Sequence, residues 1–171
     1  MGWRAAARHA SIRSPITYKQ GLRTAAVQAV PGGPSVRCVC SAVRRVDRVL
    51  NRLYDEALRP SGLATTQYAL LSTLSRAGRP LTHGELVAQQ EMAGTTLSRT
   101  LKPLARDGLV RIVPGEDRRT RYVAITAAGK AILEEARPLW RSVQEHVVTE
   151  VGPERVERLA ELAEVAGRLR A

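Results

Sequence analysis

Phenylalanine is absent from this chain of 171 residues, and two tryptophans and four tyrosines make up its whole aromatic complement. Leu, Val and Ala must therefore fill the interior, which suits packed helices. Cysteine is nearly as scarce. Cys38 and Cys40, one residue apart, are the only two, which excludes a disulfide framework and fits a reducing compartment. The three histidines, His9, His83 and His146, are dispersed. On a helix Cys38 and Cys40 would point about 200° apart, so no metal site is expected. No apolar run approaches the ~18 residues of a membrane span, and the N-terminus lacks the apolar segment of a secretory signal. A cytoplasmic protein with no membrane partner follows. There is no Ser-His-Asp grouping, P-loop or Gly-rich dinucleotide fingerprint, so neither an enzyme nor a cofactor is expected.

Acidic residues are missing from one region altogether. The net charge of +11 points to a polyanionic partner, but residues 1–37 hold six of the 27 Lys and Arg and no Asp or Glu. The remainder keeps 21 basic against 16 acidic residues. The bulk charge thus overstates the case for DNA, and the local pattern must carry it. Residues 1–35 read as a basic, disordered extension closed by Pro31-Gly32-Gly33-Pro34. An organellar transit peptide, or a start assigned too far upstream, would give the same composition.

From Val36 to Leu58 apolar residues recur at helical spacing, with Arg44, Arg45, Arg48 and Asp55 opposite, and Pro60 and Gly62 stop the run. A helix capped by Thr65 follows, through Tyr68, Leu70, Leu71 and Leu74 to Gly78. Thr82 and Glu85 form a capping box for a short helix ending near Gln90-Glu91. The next helix spans roughly Gly94 to Asp107, with Leu97, Leu101 and Leu104 on one side and Gly108 as its C-terminal glycine. Val110–Val113 and Tyr122–Ile125 make a hairpin. Thr126 caps a long helix to about Glu150, which Pro138 is expected to kink. A last helix after Gly152-Pro153 puts Val156, Leu159, Leu162, Val165 and Leu169 on one face.

A helix entering the major groove needs a small polar first turn and basic residues along one face. Thr95, Ser98, Arg99, Lys102 and Arg106 fall on one outer stripe and meet both needs. Arg118, Arg119 and Arg121 cluster at or just beyond the hairpin tip, where an arginine can enter the minor groove. Asp117 is suited to order Arg119 by a carboxylate pair. The terminal helices have broad apolar faces that the small central unit cannot cover, which predicts a homodimer.

These residues resemble the MarR family of bacterial transcription regulators over about residues 36–170. The matching positions are Gly62-Leu63, Gln67 to Leu71, Leu81-Thr82 with Glu85-Leu86, Thr95 to Arg99, Leu104, Asp107 to Val110, Asp117 with Arg119, and Ile125-Thr126 with Gly129. The implied fold is mainly α with a small β-wing. A winged helix-turn-helix domain (61–126) is flanked by an N-terminal dimerisation helix (36–60) and C-terminal dimerisation helices (127–171). The resemblance implies a homodimeric repressor on a pseudo-palindromic double-stranded DNA operator, with recognition-helix contacts from Thr95, Thr96, Ser98, Arg99 and Lys102 and with Arg119 in the minor groove. It also implies a small aromatic effector between the dimerisation helices and the winged domain. Two positions depart from the family pattern. Ala93-Gly94 stands where Asp or Ser followed by Arg is usual, and Gln90 where an apolar residue is usual.

Cys40 precedes Tyr54 by fourteen residues, the spacing of a reactive cysteine and a tyrosine in the family's hydroperoxide-sensing branch. That branch's other tyrosines are Arg44 and Thr65 here. Two readings therefore stay open for Cys40: a redox switch, or a small residue in the dimer core. An unregulated architectural DNA-binding protein is the further alternative.

Overall fold

The computed structural model describes residues 38–115 and 120–169, all within one compact unit beginning at Cys38. The expected extension at 1–35, and the wing residues Asp117, Arg118 and Arg119, lie outside the described residues. Among the described residues six α-helices and three strands follow in order: α1 (Val39–Leu58), α2 (Thr65–Ala77), β1 (Leu81–Thr82), α3 (His83–Gln90), α4 (Gly94–Arg106), β2 (Val110–Pro114), β3 (Arg121–Ile125), α5 (Ala127–Val151) and α6 (Pro153–Ala166). A 3₁₀ turn at Arg59–Ser61 closes α1. Pro60 withholds a helical donor there, and Gly62 takes the left-handed conformation at φ 75°. Mainly helical architecture with a small antiparallel wing is what the residue pattern predicts.

Thr65 is not the cap of α2. The cap position is Ala64, whose N–H donates to the Gln67 side chain at 2.9 Å. Thr65 is the first helical residue, and its N–H and hydroxyl both donate to Asp55 Oδ1 at 2.7 Å, tying α2 to α1. The capping box at α3 forms as read. Glu85 N–H donates to Thr82 Oγ1 at 3.2 Å, and Thr82 N–H donates to Glu85 Oε2 at 2.7 Å. The helix α5 is continuous through Pro138.

The sheet has the order β1-β3-β2, with Leu81 opposite Val123 and Ile112 opposite Val123 on the other side. The two-residue strand β1 is too short to show a period of two, so the sequence gives no sign of it. A single apolar cluster joins Leu58, Tyr68, Leu70, Leu71 and Leu74 to Leu81, Leu86, Leu97, Leu101 and Leu104, and onward to Val110, Val123, Leu133 and Ala136. Leucine thus does the filling that the missing phenylalanine leaves open. Each such side chain contributes about 1.5–3 kcal/mol on burial.

The start of α5 is locked to the base of the wing. Thr126 Oγ1 donates to the Gly108 carbonyl at 2.7 Å and accepts from the Gly129 N–H at 3.0 Å. A Cβ on Gly129 would stand 2.1 Å from the Leu109 carbonyl oxygen. Only glycine lets the two backbones approach so closely.

Candidate nucleic-acid interface

Three leucines set the orientation of α4. Leu97, Leu101 and Leu104 are buried, which turns Thr95, Ser98, Arg99 and Lys102 outward with Thr96 at the flank. All five of these polar residues are exposed. Arg99 and Lys102 have no hydrogen-bond or ion-pair partner among the described residues. Arg106, on the same stripe, is held instead by Asp107 at 2.8 Å. That contact keeps the Asp107 carboxyl below its ordinary value and raises Arg106.

The helix ends in a Schellman motif. The Leu109 N–H reaches the Leu104 carbonyl at 2.8 Å and the Gly108 N–H reaches Ala105 at 3.2 Å, with Gly108 at φ 72°. This turn feeds the chain directly into β2.

The preceding helix buttresses α4. Its C-cap, Glu91, is left-handed at φ 48°, a rare conformation for a residue with a side chain. Gln90 sends its amide to Thr73 Oγ1 at 2.7 Å. Thr73 is a buried polar residue of α2, so the polar group at 90 is matched rather than misplaced. At the other end of α3, the His83 ring lies under Gly94, where a Cβ would meet its Cε1 at 3.3 Å. No side-chain cap serves α4, as Ala93 implies.

Among the described residues Glu85 is the most perturbed carboxyl. The Arg79 guanidinium at 2.6 Å comes first, then the backbone and hydroxyl of Thr82, and together they hold it at about 2. Both partners are spent on shaping the start of α3.

In the hairpin, pairing extends beyond the strands through the Gly115 N–H to the Thr120 carbonyl at 2.7 Å. Arg121 is exposed opposite Pro114. Arg111, which the motif reading passes over, is exposed on β2. Its register with Ala124 puts it on the sheet face opposite to that of Arg121. Alternation along the strand was the signal available for it.

Cys40 is exposed on α1, as is Cys38 at the helix start. The Ser41 side chain, and then its backbone, lower the Cys38 thiol. Among the described residues no group of three His, Cys, Asp or Glu side chains is placed to hold a metal ion, and no helix is long and apolar enough to cross a membrane.

Residues 61–120 match the model of the MarR family. The chain is 28% identical over 115 residues to the uncharacterized HTH-type transcriptional regulator YwoH of Bacillus subtilis, spanning 67% of this chain and 83% of that one. It is 33% identical over 89 residues to the transcriptional activatory protein BadR of Rhodopseudomonas palustris, about half of each protein. Among solved structures it is similar to the M. tuberculosis transcriptional regulator MosR in complex with DNA. That match has 43% identity and a TM-score of 0.68, and covers 78% of this chain and all of the other.

Proposed function

This chain belongs to the MarR family, and we propose on that footing that it is a homodimeric repressor, released from a pseudo-palindromic operator by a small effector. The family's members are DNA-binding transcription regulators rather than enzymes. The observation that carries the reading is the outward stripe of α4, in which Arg99 and Lys102 are left uncommitted by the fold. Thr95, Thr96, Ser98 and Arg99 meet base edges or phosphates in the major groove, and Lys102 meets phosphate. Arg119, ordered by Asp117, enters the minor groove, with Arg118 and Arg121 on the flanking backbone. A two-fold axis sets two such helices about 34 Å apart on the duplex.

Dimerisation is supported by the apolar faces left open on the outer helices. Val39, Val43, Val46 and Val49 of α1, and Leu159, Leu162 and Val165 of α6, with Leu169 just beyond it, are each at least 40% exposed. Residues 36–60 and 127–171 are accordingly assigned to the dimer, and 61–126 to DNA. For the effector, the favouring feature is an aromatic group linking α1, α2 and α5. Tyr68 stacks on Trp140 with ring centres 5.7 Å apart, Tyr54 lies 6.2 Å from Trp140, and the Tyr54 hydroxyl donates to Gln144. A small aromatic acid competing for this packing would shift α5 against the DNA-reading unit.

The test starts from operator DNA selected from a random pool. By anisotropy, Lys102→Ala should lower the slope of log affinity against log salt by about one, and Arg119→Ala should weaken binding at fixed salt. Unchanged slope and affinity in both variants would remove the assigned contacts. A second reading, redox release through Cys40, has the exposure of that thiol on α1 in its favour. Organic hydroperoxide should then free DNA from the wild type but not from Cys40→Ser, and equal release from both excludes a role for Cys40.

A further inference from the structure

We infer that the Gly94 carbonyl, with His83 on a second side, holds the Ser98 hydroxyl as a pure hydrogen-bond acceptor. Ser98 thereby selects an amino base, adenine or cytosine, over a keto base, guanine or thymine, on the strand it faces. The inference rests on the reading of α4 as the major-groove helix, and goes further in assigning what one residue of that helix recognises.

A serine is ordinarily an ambiguous reader, because its hydroxyl has one proton to give and two lone pairs to receive with. Here the proton is committed. Ser98 Oγ donates to the Gly94 carbonyl, one turn back, at 2.9 Å. The same oxygen lies 3.3 Å from His83 Nε2. If the proton pointed to His83 instead, two acceptor oxygens would face each other at 2.9 Å without a hydrogen between them. The shorter contact therefore takes the proton, and His83 Nε2 must carry its own hydrogen and donate to Ser98. One lone pair remains, and Ser98 is exposed on the outer stripe.

An acceptor alone finds a partner on adenine N6 or cytosine N4, and is repelled by guanine O6 or thymine O4. The Gly94 departure has a role in this. With no side chain at 94, the His83 ring fits beneath the start of α4, where a Cβ would stand 3.3 Å from Cε1.

The experiment is selection from a random duplex pool with four proteins: wild type, Ser98→Ala, His83→Ala and His83→Gln. In the wild type one position per half-site should favour adenine and cytosine by about fivefold or more. Ser98→Ala should flatten that position alone. In His83→Ala the Gly94 carbonyl still takes the hydroxyl proton, so guanine and thymine should remain disfavoured there. His83→Gln restores an N–H donor and should keep the preference. The inference is overturned if Ser98→Ala flattens no position, or one that was guanine or thymine. It is also overturned if His83→Ala comes to accept guanine or thymine there, because the Gly94 carbonyl would then not be holding the proton. A wild type that recovers no defined site would defeat the DNA-reading assignment itself, which is a different result. Thermal melting of each variant verifies folding. Ser98 is exposed, so its arm alone decides the base class if His83→Ala does not fold.

Discussion

At Gly129 the backbone of α5 rests against the carbonyl of Leu109, and a single added methyl would have to share its place with that oxygen at 2.1 Å. The obstacle is backbone on both sides, so it cannot be relieved by rotating a side chain. Gly129→Ala should cost about 3 kcal/mol or more, seen as a lower midpoint in urea unfolding. A loss below about 1 kcal/mol would mean that the first turn of α5 can slide off the wing. Glu85 supplies a pH signature. Its folded value of about 2 lies below the usual 4.5, so its contribution to stability is complete above pH 4.5 and is lost as pH falls towards 2. The stability gap between wild type and Glu85→Gln should therefore shrink over that window, and a gap constant with pH would refute the pairing. The Thr82–Glu85 box was legible because its partners are three residues apart. The demand at Gly129 was not, since Leu109 is twenty residues away in the chain.

The element that reads DNA in this proposal starts without a side-chain cap. Ala93 precedes α4 in extended conformation at φ −62° and ψ 142°, the backbone shape a capping serine adopts. Ala93→Ser should therefore raise stability by about 1 kcal/mol, measured by urea unfolding. No gain would mean that the N–H groups of the first turn are already satisfied by the Ala93 carbonyl, which accepts from Thr96 and Leu97 at 2.9 and 3.0 Å. Period and caps placed α3, α4 and the hairpin, because each depends on neighbours within four residues. Thr65 shows the limit of that logic. It looked like a cap, but its hydroxyl is bound to Asp55 of another helix, and Gln67 supports the cap position from within. Gln90 shows the same limit. Beside an apolar expectation it looked misplaced, yet its partner Thr73 is seventeen residues earlier on α2.

For the whole molecule, the exposed valines of α1 and leucines of α6 flank a winged unit whose own core is closed. Leu162, 47% exposed on α6, tests whether a second copy covers that face. Leu162→Asp should shift sedimentation from dimer to monomer and leave the winged unit folded. Operator affinity should fall by at least about a hundredfold, because two half-sites lose their linkage. A dimer that persists in Leu162→Asp would remove α6 from the interface.

The sequence by itself determined the fold class, the order of the main elements, the buried leucine face of α4 and the basic residues opposite it. All of these follow from local periodicity, turn chemistry and charge, which operate over a few residues. Only the tertiary structure decided which polar residues are free to meet a ligand and which are already occupied. Arg79 and Arg106 look as available as Arg99 and Lys102 in the chain, but their carboxylate partners are set by backbone geometry. In the same way, Ser98 and His83 are fifteen residues apart, and their contact exists because α3 and α4 cross where position 94 has no side chain. Whether a group can donate, accept or bind depends on what lies within about 3 Å of it, and that distance is set by packing between elements.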